Sequence, residues 1–311
     1  MKDAPQGSGT QRCRNTAHSL YIKSKKKSRK SGVFAPLSAL AKDISYRTRR
    51  DEKMYIKKTW KAGRTVEVKK TYSARFGKKL ARGENLLDTS KAAEKVNRDN
   101  AIANLRRILN ENFKPGDWHA IFTYPQVVPP NEEEAREDRR RFLRLLKAVY
   151  AEQGVELKAV AVTEWTHKRI HHHLVLPNLP DMQPVKVLWK QLLSAKYYTA
   201  LERLNGEPLH LRFPWSPLDD SGQYGELAEY LVKETDKSRK LRGKYCRRYS
   251  CTKNIVRPQP KVEIISAAEW RDEPPQRKGY YIDRDASFSG ISEYTGLPIQ
   301  ETIYVSLARA G

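Results

Sequence analysis

Three successive histidines, His171, His172 and His173, sit in the run HHHLVL. In an extended strand neighbouring side chains alternate faces, so His171 and His173 point one way and His172 the other. The preceding apolar run LKAVAVTE ends in Glu164, and only the six residues WTHKRI separate the two runs, which makes an antiparallel hairpin the economical connection. A register that sets Glu164 opposite His171 brings the carboxylate to the face of the two imidazoles, about 5 Å away between Cβ atoms. Two imidazoles and one carboxylate with open positions suit Mn²⁺ or Mg²⁺ bridged to a substrate oxygen, although Zn²⁺ and Cu²⁺ bind such donors more tightly. A slip of one residue would set Glu164 beside His172 and dismantle the group.

A second pair lies downstream. Tyr230 and Lys233, in the helix-like run ELAEYLVKE, are three residues apart and therefore neighbours on a helix surface. A phenol is a nucleophile once its proton leaves, and an ammonium beside it stabilises the anion. Taken alone, each feature has a plainer reading: the histidine run as a metal-sequestering tract, the tyrosine as half-buried beside a solvated lysine. Tyr224, six residues before Tyr230, falls on a different helical face and reads as packing, as do Tyr197 and Tyr198.

These groups need elements to carry them. Residues 64–72 (RTVEVKKTY) alternate as a half-buried strand does, and Asp88, Thr89 and Ser90 offer caps for a helix in which Ala101, Leu105, Ile108 and Leu109 keep helical spacing. HAIFTY (119–124) reads as a short apolar strand stopped by Pro125. Asn131 then caps a helix whose first turn holds Glu132, Glu133 and Glu134, where the helix dipole favours anions, and whose apolar stripe is Phe142, Leu145, Leu146 and Val149. After the hairpin come a helix over 185–193, an edge strand over 209–213 and the helix of Tyr230; from Lys261 onward there are short strand candidates, IYVSL among them. This order predicts an α+β fold, with helices packed on one antiparallel sheet of about five strands.

Composition narrows the partner. The 311 residues carry a formal net charge of +24, and 27 Lys and Arg against 9 Asp and Glu fall within the first 100 positions. A polyanion is the expected partner. The run KSKKKSRK, with Lys25, Lys26 and Lys27 at its centre, reads as a disordered cationic arm for phosphates or, more plainly, as a solubilising tail. No stretch has the ~20 apolar residues of a membrane span and no signal peptide is evident, so no membrane partner is expected. Three scattered cysteines fit neither a disulfide framework nor a four-thiolate zinc site, and point to a reducing cytoplasm.

The order of parts resembles the HUH superfamily of rolling-circle replication initiators, in particular the Rep proteins of small phages, plasmids and integrated elements of bacteria, of the filamentous-phage nickase type. The resemblance rests on an apolar strand ending in Phe122-Thr123-Tyr124, then a helix, Glu164, the histidine pair with Leu174-Val175-Leu176, and a helix bearing Tyr230 and Lys233. The runs AEKVNRDNAIANLRRILNENFKPGDWHAIFTY and RRYSCTKNIVRPQP add to it, so that it covers about residues 60–265. It implies a ferredoxin-like HUH nicking domain over 61–265, a basic N-terminal arm over 1–60, and a C-terminal extension over 266–311 of unassigned role. In that family a bulky apolar residue stands between the two histidines. Here it is His172, read as a packed or hydrogen-bonded imidazole, with His172 and His167 as substitute ligands.

What the resemblance implies for chemistry is specific. Tyr230 attacks one DNA strand at an origin, giving a 5′-phosphotyrosine and a free 3′-OH that later reseals the strand. Lys233 supports the phenolate, and His171, His173 and Glu164 hold Mn²⁺ or Mg²⁺. Trp165, Lys168 and Arg169 in the hairpin loop would stack on or clamp bases, and the substrate would be single-stranded or supercoiled origin DNA, with host helicase and polymerase as partners in a bacterial cytoplasm. A relaxase or a single-strand transposase shares the chemistry, and a noncatalytic basic DNA-binding protein is the reading from another class.

Overall fold

A computed structural model describes residues 55–72, 91–125, 130–166, 169–203, 213–242, 247–266, 270–271 and 273–308. Among them are ten strands: β1 (Tyr55–Ala62), β2 (Thr65–Tyr72), β3 (Trp118–Thr123), β4 (Val160–Thr166), β5 (Arg169–Leu176), β6 (Trp215–Pro217), β7 (Ser250–Cys251), β8 (Lys261–Ile265), β9 (Tyr280–Ile291) and β10 (Pro298–Ser306). Four helices accompany them: α1 (Lys91–Asn112), α2 (Glu132–Glu152), α3 (Gln183–Arg203) and α4 (Gly225–Arg242). The fold is α+β, as expected, but it holds two five-stranded antiparallel sheets rather than one, in the orders β8-β1-β2-β10-β9 and β6-β3-β5-β4-β7.

The second of these, the histidine sheet, has helices on both faces. Ala120, Phe122, Ala161, Leu174 and Leu176 pack against α2 and α3 through Phe142, Leu146 and Trp189. On the opposite face Val160, Val162 and Val175 meet Leu105 and Leu109 of α1 and Leu227 and Leu231 of α4. The two sets obey the strand alternation: each row comes from residues paired across β3, β5 and β4, such as Phe122, His172 and Thr163. Asn131 caps α2 with a reciprocal pair of bonds: its side chain accepts from the Glu134 N–H while the Glu134 carboxylate accepts from its own.

The first sheet joins distant parts of the chain. β1 begins at Tyr55, within the span read as an arm, and pairs with β2 and β8; β9 and β10 come from the C-terminal extension. The β1–β2 connection is the two residues Gly63 and Arg64, with Gly63 at φ 51°. An added Cβ there would sit 2.0 Å from the carbonyl oxygen of Asn110, so both conformation and space require glycine. α1 ties the two sheets together. Its apolar side serves the histidine sheet, while Arg106 and Arg107 both bond the buried Glu67 of β2. Arg107 also lies 3.7 Å from the ring centroid of Trp60, and Arg106 reaches Glu301 of β10 at 3.0 Å. Burial alone would raise the Glu301 carboxyl, but the charges of Lys69 and Arg106 outweigh it and hold the group down at about 2.

Several boundaries differ from the sequence reading. The edge strand is Trp215–Pro217, since positions 209–212 lie outside the described residues, as do the caps Asp88 to Ser90. The helix expected over 185–193 runs to Arg203 and includes Tyr197 and Tyr198, whose side chains lie outside the description.

Candidate active site

The hairpin register is the one the histidine spacing calls for: Glu164 pairs with His171, Thr163 with His172 and Val162 with His173. The buried apolar residues on both sheet faces fix it, because a one-residue slip would turn Ala161 and Val162 to the wrong sides. Glu164, His171 and His173 therefore share a face, and His173 Nε2 stands 3.3 Å from Glu164 Oε2. β3 pairs with β5 so that Thr123 lies opposite His171, which places His119 on this same face. Its Nε2 is 3.2 Å from His173 Nδ1, and the two rings are stacked with centroids 5.4 Å apart.

Helix α4 crosses this face. The ring of Tyr230 meets His173 edge-on at 5.6 Å and His119 at 6.0 Å between centroids. Tyr230 is half-buried, and one turn further on Glu234, 8% exposed, is hydrogen-bonded to Glu164. A contact between two carboxyl groups needs a shared proton or a cation. Lys233, three residues from Tyr230, is exposed. The helix face turned to the sheet thus carries Tyr230 and Glu234, at a spacing of four, while Lys233 sits on the flank toward solvent, not beside the phenol's inner contacts.

Electrostatics follow from burial. His119 is pushed down to about 3 by burial, with the neighbouring His173 adding to the effect, so its imidazole is neutral at ordinary pH. Burial would raise Glu164, but hydrogen bonds with His173 and Glu234 and the nearness of His171 hold its carboxyl below the usual carboxylate range.

His172 belongs to the other face, as its place in the strand requires. It is 1% exposed, stacks edge-on to Trp189 at 5.8 Å, and hydrogen-bonds Thr163 Oγ1 and the Tyr124 hydroxyl, both at 2.9 Å. Arg139 donates to the same Thr163 Oγ1, so the hydroxyl links the guanidinium to the imidazole. Burial, then the positive charge of Arg139, keeps its pKa well below the ordinary value. His172 is a structural imidazole with both nitrogens engaged, and no substitute ligand. Tyr224, just before α4, is buried against α1 and packs as expected.

The proposed DNA-contacting residues fare differently. The strands pair through Thr166 and Arg169, so Trp165 and Arg169 belong to β4 and β5 and not to a six-residue loop. Trp165 lies within β4 and packs, half-buried, on the core beneath α2 and α3, on the sheet face away from Glu164. Strand alternation is the reason. Lys25, Lys26, Lys27, His167 and Lys168 lie outside the described residues, as does the side chain of Arg169.

Two contributors went unread in the sequence, His119 and Glu234. Glu234 was within reach, since i+4 is as much a helix neighbour as i+3; His119 required the β3–β5 register, which no local pattern supplies.

As a metal centre the group is half assembled. Ligands about 2.1 Å from an ion stand roughly 3.0–3.4 Å apart in octahedral or tetrahedral geometry, and the His173–Glu164 spacing of 3.3 Å matches. Yet among the described residues no three His, Cys, Asp or Glu side chains are grouped to hold an ion. No family model matches the chain, and no curated protein or solved structure is detectably similar to it. No helix among the described residues is long and apolar enough to cross a membrane.

Proposed function

We propose that the chain is a site-specific DNA nicking and strand-transfer endonuclease of the HUH type, acting as a rolling-circle replication initiator in a bacterial cytoplasm. The observation that supports it most is the seat of the Tyr230 ring on His173, 5.6 Å away, over the face that Glu164 and His171 share. A phenol of α4 and two imidazoles and a carboxylate of the β4–β5 hairpin converge there.

In this reading the Tyr230 oxygen attacks the scissile phosphorus as its proton leaves. The bond from phosphorus to the 3′ oxygen breaks, that oxygen takes up a proton, and the strand's 5′ end remains as a phosphotyrosine. An unperturbed phenol, with a pKa of about 10, is protonated at neutral pH, so deprotonation must accompany attack. His173 and Glu164, the groups nearest the ring, would serve as ligands to the ion, so the proton passes to water rather than to them. Lys233, on the solvent flank, meets the phosphate from outside rather than the phenol from within. The covalent link conserves the phosphodiester, so a later 3′-OH can reverse the step and reseal the strand.

His173 and Glu164, with His171 turning in as a third donor, would hold Mn²⁺ or Mg²⁺. Such an ion, when bound, supplies positive charge to the phosphoryl oxygens. The substrate is single-stranded or supercoiled origin DNA, because the scissile phosphate must reach the cluster at the contact between the histidine sheet and α4.

The test is nicking of a supercoiled plasmid bearing the element's origin, with Mn²⁺ or Mg²⁺, beside Tyr230→Phe. A nicked circle with protein on its 5′ end, lost in the variant, is the expected result; nicking without an adduct, or unaffected by Tyr230→Phe, overturns it.

A further inference from the structure

The outer face of the β8-β1-β2-β10-β9 sheet carries a feature that the tyrosine cluster does not use. Residues 270–271 and 273–279 pass over this face, pinned where Gln300 donates to the Arg271 carbonyl at 3.0 Å and the Tyr304 hydroxyl donates to the Pro275 carbonyl at 2.9 Å. Between segment and sheet lies a cavity of about 480 Å³. Its floor holds Lys57 and Lys70, paired across β1 and β2, and its roof holds Arg271, Arg277 and Lys278. Among the described residues no acidic side chain lines it; Glu263, beside it, is engaged by Lys57 at 3.1 Å and Lys261 at 3.0 Å.

Lys57, Lys70, Arg271, Arg277 and Lys278 face one groove, and the fold keeps Lys70 there at 8% exposure. Aromatic rings lie among them. Lys70 is 5.8 Å from the Trp270 ring centroid, and Arg277 is 5.6 Å from those of both Tyr280 and Tyr304. Alternating cations and ring faces are what a single strand engages, through phosphates and stacked bases. Cations on both floor and roof spread the charge along the groove instead of focusing it on one point, which suits a chain of phosphates better than a lone anion.

We propose that this groove is a second nucleic-acid site, which takes the phosphate backbone of a single-stranded DNA segment. It lies on a different sheet from the one that Tyr230 packs over and stands whether or not the tyrosine chemistry does.

Fluorescence anisotropy with a labelled mixed-sequence 20-mer, across a salt series, tests it on the full chain. The roof cations are exposed and their removal leaves the sheet's own pairing intact, so the variant is Arg271→Ser/Arg277→Ser/Lys278→Ser. The control replaces three exposed cations of α2, Arg136, Arg140 and Arg144, by serine. Loss of three phosphate contacts should weaken binding about ten- to a hundredfold near 0.1 M salt and flatten the log K against log salt slope by about 2. A photocross-link from a 4-thiothymidine 20-mer should map to residues 270–280 in the unaltered chain. An equal loss in the control, an unchanged slope in the roof variant, or displacement of the 20-mer by inorganic triphosphate at matched phosphate concentration would overturn the proposal. The cross-link to 270–280 and the salt slope of the roof variant do not involve Tyr230, so failure of nicking and failure of this site read out separately.

Discussion

His119 Nε2 stands 3.2 Å from His173 Nδ1, and only one proton can lie between them. If His119 donates it, His173 turns an N–H toward Glu164; if His173 donates it, the lone pair on His173 Nε2 is presented to the open face instead. His119, neutral down to about pH 3, can play either part. An imidazole that accepts the far N–H of a ligand orients that ligand, and losing such a partner costs about 10–100-fold in metal affinity. His119→Phe is therefore expected to weaken Mn²⁺ binding by that factor in calorimetric titration while the fold survives. Unchanged affinity would remove His119 from the site.

The two buried imidazoles set an acid limit on stability. Folded His172 and His119 stay neutral well below their ordinary value, whereas unfolded imidazoles take up a proton at about 6.5. Below that pH the unfolded chain binds more protons than the folded one, so their contribution is complete above about 6.5 and is lost as the pH falls. The slope is about 1.4 kcal/mol per pH unit for each imidazole. Urea midpoints at pH 7.5, 6 and 5 should decline steadily, and His172→Gln should decline less steeply by one proton's worth. A flat profile in the parent would contradict this.

Gly63→Ala should destabilise the chain by about 2–3 kcal/mol, because alanine at φ 51° is strained and its methyl would meet the Asn110 carbonyl. Alanine at Gly154, also at positive φ but with open space around it, is expected to cost less. Equal thermal shifts in the two variants would show that the contact with α1 is unimportant.

The carboxylates between α1 and the first sheet answer to a different titration. Glu67→Gln leaves Arg106 and Arg107 without the anion both engage, at a cost of about 3–5 kcal/mol. Glu301, held at about 2, is stabilising above its unfolded value of about 4.3, and that contribution disappears as the pH falls through 2. In Glu301→Gln the loss of stability between pH 4 and 2 should shrink, as followed by circular dichroism.

The histidine hairpin was legible because its information is local. Alternation placed His171 and His173 together, and the apolar residues on both faces left a single register for Glu164. The cap of α2 was legible for the same reason, being contained in Asn131 and Glu134. Of the first sheet, the strands at 64–72 and around IYVSL were legible from their alternation and became β2 and β10. Their pairing was not, since it joins residues as far apart as Thr65 and Val305, and Glu67, Thr65 and Gln300 are buried at positions that an apolar pattern would mark as surface. Trp165 misled because an aromatic beside basic residues resembles a stacking platform, while alternation along a longer strand decides where it points.

The two sheets differ in how they can be completed as the polypeptide is made. The strands of the histidine sheet are complete at Cys251 and its core at Ile255, whereas β1 and β2 must wait for residues 298–306 before the neighbour of β2 exists. A ribosome adding about 5–20 residues per second leaves that hairpin with an open edge for about ten to fifty seconds, against which its many lysines guard by discouraging stray strand pairing.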